Sequence, residues 1–383
     1  VVCWLEGGGA RPHDMTVIAR GSTATFVTFA QLSGLVPTIG IVAGPAFAGN
    51  ANLAGLCDLC IATRKAILGM AGPPLVEAAL GKKFKPEEIG PAEVHVASGA
   101  VDILCEDERE AAVIARRYLG YFRGPISGGP APDGTRLREL VPENPRRAYN
   151  VRQAIRGIAD LDSILELRPD FGKAAVTALA RIEGHPVGVI ANQPMVLAGA
   201  IDTPASDKIA RFIQLCDAFD IPMVFLCDTP GLMVGPEVET TGLVRHSARI
   251  LTALANASTP FITVVLRKAY GLGYYIMGSA PLKPVMLLAW PTAEFGGMGL
   301  EGAVNIIYRR ELEAIVDAAE RGRQHKAFTD ELKRSNTALE VAGRFGFDDV
   351  IDPAETRAIL GKTLRALPKP APRTARKRTV DPW

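Results

Sequence analysis

The chain has 383 residues, 48% of them hydrophobic and 22% charged, which excludes a disordered or fibrous protein and leaves room for two buried cores. Its formal net charge of +2 provides no global field for nucleic acid or an acidic surface. No apolar run is long enough to span a membrane, residues 261–266 being cut short by Arg267 and Lys268.

The first residues, Val1-Val-Cys-Trp-Leu5, read as the middle of a buried strand and lack the charged start of a signal peptide. Further on, Cys57-Asp-Leu-Cys60 has the spacing of a zinc knuckle or redox pair, but no second Cys-x-x-Cys completes it. The flanking Leu59, Ile61 and Ala62 instead predict a buried strand in which the thiols act as small hydrophobes, so no metal site is expected. Six cysteines in so long a chain are no disulfide scaffold, and reduced thiols in a cytoplasmic protein are the expectation.

Glycine and proline crowd residues 124–147, and the apolar periodicity stops there. The organisation predicted is an α/β unit over 1–123, a linker over 124–150, a second α/β unit over 151–367, and a basic disordered tail over 368–383. The second unit opens with a strand at 187–191, followed by a helix with Thr203 as N-cap and Pro204 at its first position. A strand at 223–227, the turn Asp228-Thr-Pro-Gly231, a helix carrying Val244, Ser247, Ile250, Leu251 and Leu254, and a strand at 261–266 complete the pattern.

The first unit repeats this order. Residues 2–5 align with 224–227, Glu6-Gly-Gly-Gly9 with Asp228-Thr-Pro-Gly231, Pro37 with Pro260, and Gly49 with Leu272. Pro73 and Pro291 align in turn, each after a short apolar strand, at 66–70 and 284–289. Residues 176–223 have no counterpart ahead of Val1, which predicts a chain that begins inside its first repeat.

Conventional catalytic pairings are missing: the histidines do not fall at metal-ligand spacings, and no nucleophile elbow occurs. Gly361-Lys-Thr363 resembles the end of a P-loop but has Thr356 where the first glycine belongs. What recurs is a glycine-bearing turn between a strand and a helix, at 43–49 and again at 268–273. Such a turn leaves backbone N–H groups free at a helix start, where developing negative charge is stabilised.

Several long motifs carry a family resemblance. They are Asp228-Thr-Pro-Gly-Leu-Met-Val-Gly-Pro-Glu237, Gly242-Leu-Val-Arg-His246, Arg267-Lys-Ala-Tyr-Gly-Leu-Gly-Tyr274, Trp290-Pro-Thr-Ala-Glu294 and Met298-Gly-Leu-Glu-Gly-Ala303, with Gly7-Gly-Gly-Ala-Arg11 in the first copy. The chain resembles the carboxyltransferase subunit of biotin-dependent acyl-CoA carboxylases, in the crotonase-like superfamily. The resemblance implies an α/β fold of two tandem ββα-spiral domains, the first one truncated. It also implies transfer of a carboxyl group from carboxybiotin, on a carrier protein, to the α-carbon of an acyl-CoA through enolates held in two backbone oxyanion holes.

Carried over by position, the N–H groups of Ala48 and Gly49 would hold the thioester oxygen, and those of Leu272 and Gly273 the biotin ureido oxygen. Gly7, Gly8, Gly9, Arg11 and Tyr275 would line the substrate side, and Tyr270, Gly271 and Tyr274 the biotin side. The implied partners are biotin carboxylase, a biotin carrier protein and further copies of the chain in a hexamer. A decarboxylase component sharing these motifs, or a non-catalytic truncated assembly subunit, would carry the same signals.

Overall fold

The computed structural model describes residues 1–8, 24–145, 147–370 and 378–383. The predicted Gly9 and Arg11 lie outside the described residues.

The first copy is a parallel sheet of β1 (Val2–Trp4), β2 (Ile39–Val42), β4 (Leu59–Thr63) and β6 (Ile103–Cys105), neighbouring in that order. Beside it lies a separate parallel pair, β3 (Pro45–Phe47) and β5 (Ile67–Gly69). β2 and β4 are buried along their whole length and, Thr63 apart, built of apolar residues and glycine, as befits parallel strands covered on both faces. β1 forms as expected but, among the described residues, at the sheet edge and paired only with β2, so Val2 and Trp4 are exposed and the prediction of a fully buried strand fails.

The second copy repeats this order within a larger sheet. Its strands β10 (Met223–Thr229), β11 (Phe261–Tyr270), β12 (Met286–Ala289) and β14 (Asp349–Val350) are neighbours and parallel. The far end of β11 pairs with β13 (Glu294–Gly296) as β3 pairs with β5. On the other side of β10 the sheet continues through β9 (His185–Asn192), β8 (Ala175–Ile182) and β7 (Leu165–Leu167), with β8 antiparallel to both neighbours.

The pairing corrects one step of the predicted repeat. Strand 284–289 contains β12, whose counterpart is β4, whereas strand 66–70 contains β5, whose counterpart is β13. Pro73 therefore corresponds to Leu300, each opening a helix capped by a glycine, Gly72 or Gly299. Pro291 is only a coincidental match in the turn after β12.

Helix Thr203–Ala218 binds the copies together. Asp202, not Thr203, is its N-cap, because the Asp202 carboxylate accepts from the Ala205 N–H at 2.9 Å. The helix is buried nearly throughout, and the core around it joins Ile39 and Ile61 of the first sheet to Ile190, Ile213 and Phe225 of the second. Arg211 adds a polar link, donating to the carbonyls of Cys57 at 3.1 Å and Asp58 at 2.9 Å. Lys208 is buried too, its ammonium donating to the carbonyls of Phe171 at 3.0 Å and Ala175 at 2.8 Å, and burial lowers its pKa to about 7.

Two connecting segments are more ordered than their composition predicts. The proline- and glycine-rich stretch folds onto the second copy, placing Leu137, Val141 and Tyr149 in the core with helix Val151–Ile158. The expected disorder of 368–383 fails for its last six residues. Val380 is buried, Asp381 pairs with Arg249 at 2.8 Å, and the Trp383 indole donates to Asp207 at 3.2 Å. Specific polar partners, invisible in composition, hold this segment down.

Candidate active site

At the end of β11 the chain turns sharply into helix Gly271–Ile276, with Gly271 at φ +53°. A Cβ on Gly271 would lie 2.8 Å from the Gly297 carbonyl oxygen, so the turn favours glycine by its conformation and demands it on steric grounds. Gly273 is held as tightly, since its Cβ would fall 2.6 Å from Gly231 Cα. The Asp228–Gly231 turn thus presses on the start of this helix. The N–H groups of Leu272 and Gly273 have no intramolecular acceptor among the described residues, and the Leu272 side chain is exposed.

A buried ion cluster fixes that turn. The Asp228 carboxylate, fully buried, accepts from Arg267 Nε at 3.0 Å and from the Lys268 N–H and Nζ, each at 3.1 Å. The Asp228 N–H donates to Asn192 Oδ1 at 3.1 Å, and Arg267 Nη1 reaches the Arg147 carbonyl at 2.9 Å. The motif residues of β10 and β11 are therefore tied to each other directly below the glycine turn.

The first copy builds a related turn. Helix Gly49–Gly55 follows β3, and Ala48 stands at φ +53° and ψ −119°, where the second copy has Gly271. The Ala48 N–H is already engaged, donating to the Gly69 carbonyl at 2.8 Å. That contact removes Ala48 from the predicted donors. The N–H groups without an acceptor among the described residues are those of Gly49 and Asn50, the positions equivalent to Leu272 and Gly273.

Neighbours close this turn on two sides. The Phe26 ring stands 2.8 Å from where a Cβ on Gly49 would lie, and Asn50 Nδ2 donates to the Glu6 carbonyl at 3.0 Å. Gly7, at φ +131°, exchanges hydrogen bonds with the β3 backbone, its N–H to Pro45 at 2.8 Å and its carbonyl from Phe47 at 2.9 Å. Gly7 thus lies beside the turn, and Gly8 follows it at the limit of the described segment. Asn50 was foreseeable from the equivalence of Gly49 with Leu272. Phe26 comes from helix Thr25–Ala30, which no motif marks.

The predicted tyrosines divide by burial. The buried Tyr270 donates its hydroxyl to Glu294, whose carboxyl burial pushes above its usual range against the pull of Lys333 and Lys268. Both residues line a cavity of about 590 Å³ bounded by Pro142, Leu300 and Lys333. Tyr274 packs edge-on against Phe295, ring centroids 5.7 Å apart, while Tyr275 is 38% exposed beside the turn. Cys57 and Cys60 are buried free thiols, Cys60 with its pKa pushed up to about 12 by burial, as expected of packing residues. Among the described residues no group of three candidate ligands is arranged to hold a metal ion, and no helix is long and apolar enough to cross a membrane.

The carboxyl transferase domain family matches residues 1–380. The chain belongs to this family. Among its relatives is the methylmalonyl-CoA carboxyltransferase 12S subunit of Propionibacterium freudenreichii subsp. shermanii, 38% identical over 373 residues, 94% of this chain and 70% of that one. The propionyl-CoA carboxylase carboxyltransferase subunit of Haloferax mediterranei is 36% identical over 374 residues, again 94% of this chain and 72% of the relative. Among solved structures, the hexameric transcarboxylase 12S with methylmalonyl-CoA bound superposes with a TM-score of 0.87 at 36% identity, over 98% of this chain and 75% of that one. A single-chain, multi-domain long-chain acyl-CoA carboxylase matches with a TM-score of 0.86 at 44% identity, and this chain spans 36% of its length. As a family member with this fold, the chain is a carboxyltransferase of crotonase-like architecture.

Proposed function

We propose that the chain transfers a carboxyl group from carboxybiotin, brought by a separate carrier protein, to the α-carbon of an acyl-CoA. One observation carries this reading: equivalent turns in the two copies each present two adjacent N–H groups without an acceptor among the described residues at a helix start. The groups fit two carbonyl-type oxygens that gain negative charge during reaction. Carboxybiotin held there would supply the carboxyl group, its bond to the ureido nitrogen being lost, and that nitrogen would take the α-proton of the acyl-CoA, whose thioester enolate would form the new carbon–carbon bond.

The chain's own contribution is main-chain polarity and placement. Gly49 and Asn50 would donate to the thioester oxygen, and Leu272 and Gly273 to the ureido oxygen. Tyr275, exposed beside the second turn, would line the acyl or biotin pocket, with Gly7 and Gly8 on the CoA side. Bringing two bound reactants together replaces a bimolecular encounter, and the ureido nitrogen that receives the α-proton takes the place of a protein base.

The partners implied are a biotin carboxylase and a biotin carrier protein. Exposed Ile306, Ile307, Val316 and Phe345 support association with further copies of the chain, as in the hexameric 12S structure. Its free thiols fit the reducing cytoplasm. The test is decarboxylation of methylmalonyl-CoA or malonyl-CoA with free biotin as acceptor. Turnover is expected, and no turnover with either substrate or with longer homologues overturns the reading.

A further inference from the structure

The two glycine turns differ in what braces them. In the second copy β13 runs parallel to the last residues of β11, with Lys268 opposite Glu294 and Tyr270 opposite Gly296. Lys268 and Tyr270 are two residues apart and so share one face of β11, which brings the Tyr270 ring to its diagonal neighbour Glu294. The Tyr270 hydroxyl donates to Glu294 Oε1, while the Lys268 ammonium is engaged by Asp228 at 3.1 Å. β13 is itself fixed from its other side: the Phe295 N–H donates to the Asn336 carbonyl and the Ala338 N–H to the Ala293 carbonyl, both at 3.0 Å. Gly271 follows Tyr270 directly, so this pair ties the start of the turn to an anchored strand.

The first copy shows that packing alone does not call for such a pair. Strand register makes Phe47 the counterpart of Tyr270 and Ile67 the counterpart of Glu294. Both are buried apolar side chains. A phenol and a carboxyl cost more to bury than a phenyl and an alkyl group, and the hydrogen bond that offsets this cost also fixes a direction, which apolar contact does not. The polar pair stands directly before the Leu272 and Gly273 N–H groups, which have no intramolecular acceptor among the described residues.

We propose that Glu294 is a positioning residue for the second turn: through the Tyr270 hydroxyl it holds the start of helix Gly271–Ile276 so that the Leu272 and Gly273 N–H groups converge on one oxygen. This rests on the reading of that turn as the site of the ureido oxygen. Tyr270 serves as the brace, its hydroxyl directed at Glu294 and not at a ligand.

The test grafts the first-copy pair onto the second in the full chain, Tyr270→Phe with Glu294→Ile, and follows methylmalonyl-CoA decarboxylation with free biotin. Replacing both partners of a buried hydrogen bond by apolar groups of similar shape leaves stability little changed, so a merely structural role predicts parental kcat and unfolding temperature. The proposal predicts a parental unfolding temperature, kcat lowered about tenfold or more, and an unchanged KM for methylmalonyl-CoA, since the first turn is untouched. Glu294→Gln, which keeps an acceptor for the hydroxyl, should retain most of the rate. Parental kcat in the stable double variant overturns the proposal, and so does a Glu294→Gln variant as slow as Glu294→Ile. If the double variant fails to fold, Tyr270→Phe alone, short of one hydroxyl, carries the same expectation and the same refutation. Hydrogen exchange over residues 270–277 reads the brace without turnover: faster exchange in Tyr270→Phe than in the parent is expected, and unchanged exchange overturns the proposal. A parent chain without turnover counts against the carboxyl-transfer reading, and the exchange measurement then decides the brace by itself.

Discussion

Ala48 occupies backbone space that glycine enters far more easily, at φ +53° and ψ −119°. Ala48→Gly should therefore stabilise the chain by about 1 kcal/mol, relief of strain outweighing the greater freedom of the unfolded glycine. Urea denaturation checks this, and a lower midpoint contradicts the strain argument. Gly273 is the opposite case, since a methyl group there would meet the Gly231 backbone. On the proposed reading, in which the Gly273 N–H donates to the ureido oxygen, Gly273→Ala should reduce kcat about 100-fold with little change in KM. Lys208 gives a pH signature. Its folded pKa of about 7 lies below the ordinary lysine range, so between those values the unfolded chain holds the extra proton. Stability should rise with pH from about 7 to about 10.4 and fall back as pH is lowered through that window. Denaturation curves across this range should show the rise in the parent chain and its absence in Lys208→Met.

Turns and strands set how far the sequence could be read. The strands at 223–227 and 261–266 and the helix Leu243–Ala255 follow from apolar runs and spacing alone, because burial imposes those periods directly. The glycine turns were legible too, since sharp backbone geometry restricts residue type. Proline is a poor marker of the repeat, for it recurs in any loop, whereas the pairing of β5 and β13 depends on strand register. The engaged N–H of Ala48 was not legible at all, because its acceptor, Gly69, lies on another strand. One element-level prediction follows from the Asp228 cluster. Asp228→Ala leaves the buried Arg267 without its carboxylate and should cost about 3 to 5 kcal/mol in thermal or urea unfolding. Asp228→Asn, which keeps an acceptor, should cost less.

Across the whole molecule, helix Thr203–Ala218 makes one folding unit of two repeats. Calorimetry should show a single cooperative transition, and cleavage within residues 124–145 should not release two separately stable halves. Arg211→Met should lower the transition temperature without splitting it, since the apolar core between the sheets remains; two resolved transitions in the parent chain would contradict a shared core. The glycine turns have a consequence for mutational surveys of this protein. The groups they offer belong to the main chain, so truncating side chains one at a time would leave those groups in place. If the proposed donors carry the chemistry, an alanine scan would map the scaffold, the ion cluster and the interfaces and leave that chemistry unseen. Replacing the amide at Leu272 or Gly273 by an ester, which deletes the N–H and leaves every side chain intact, would reveal it.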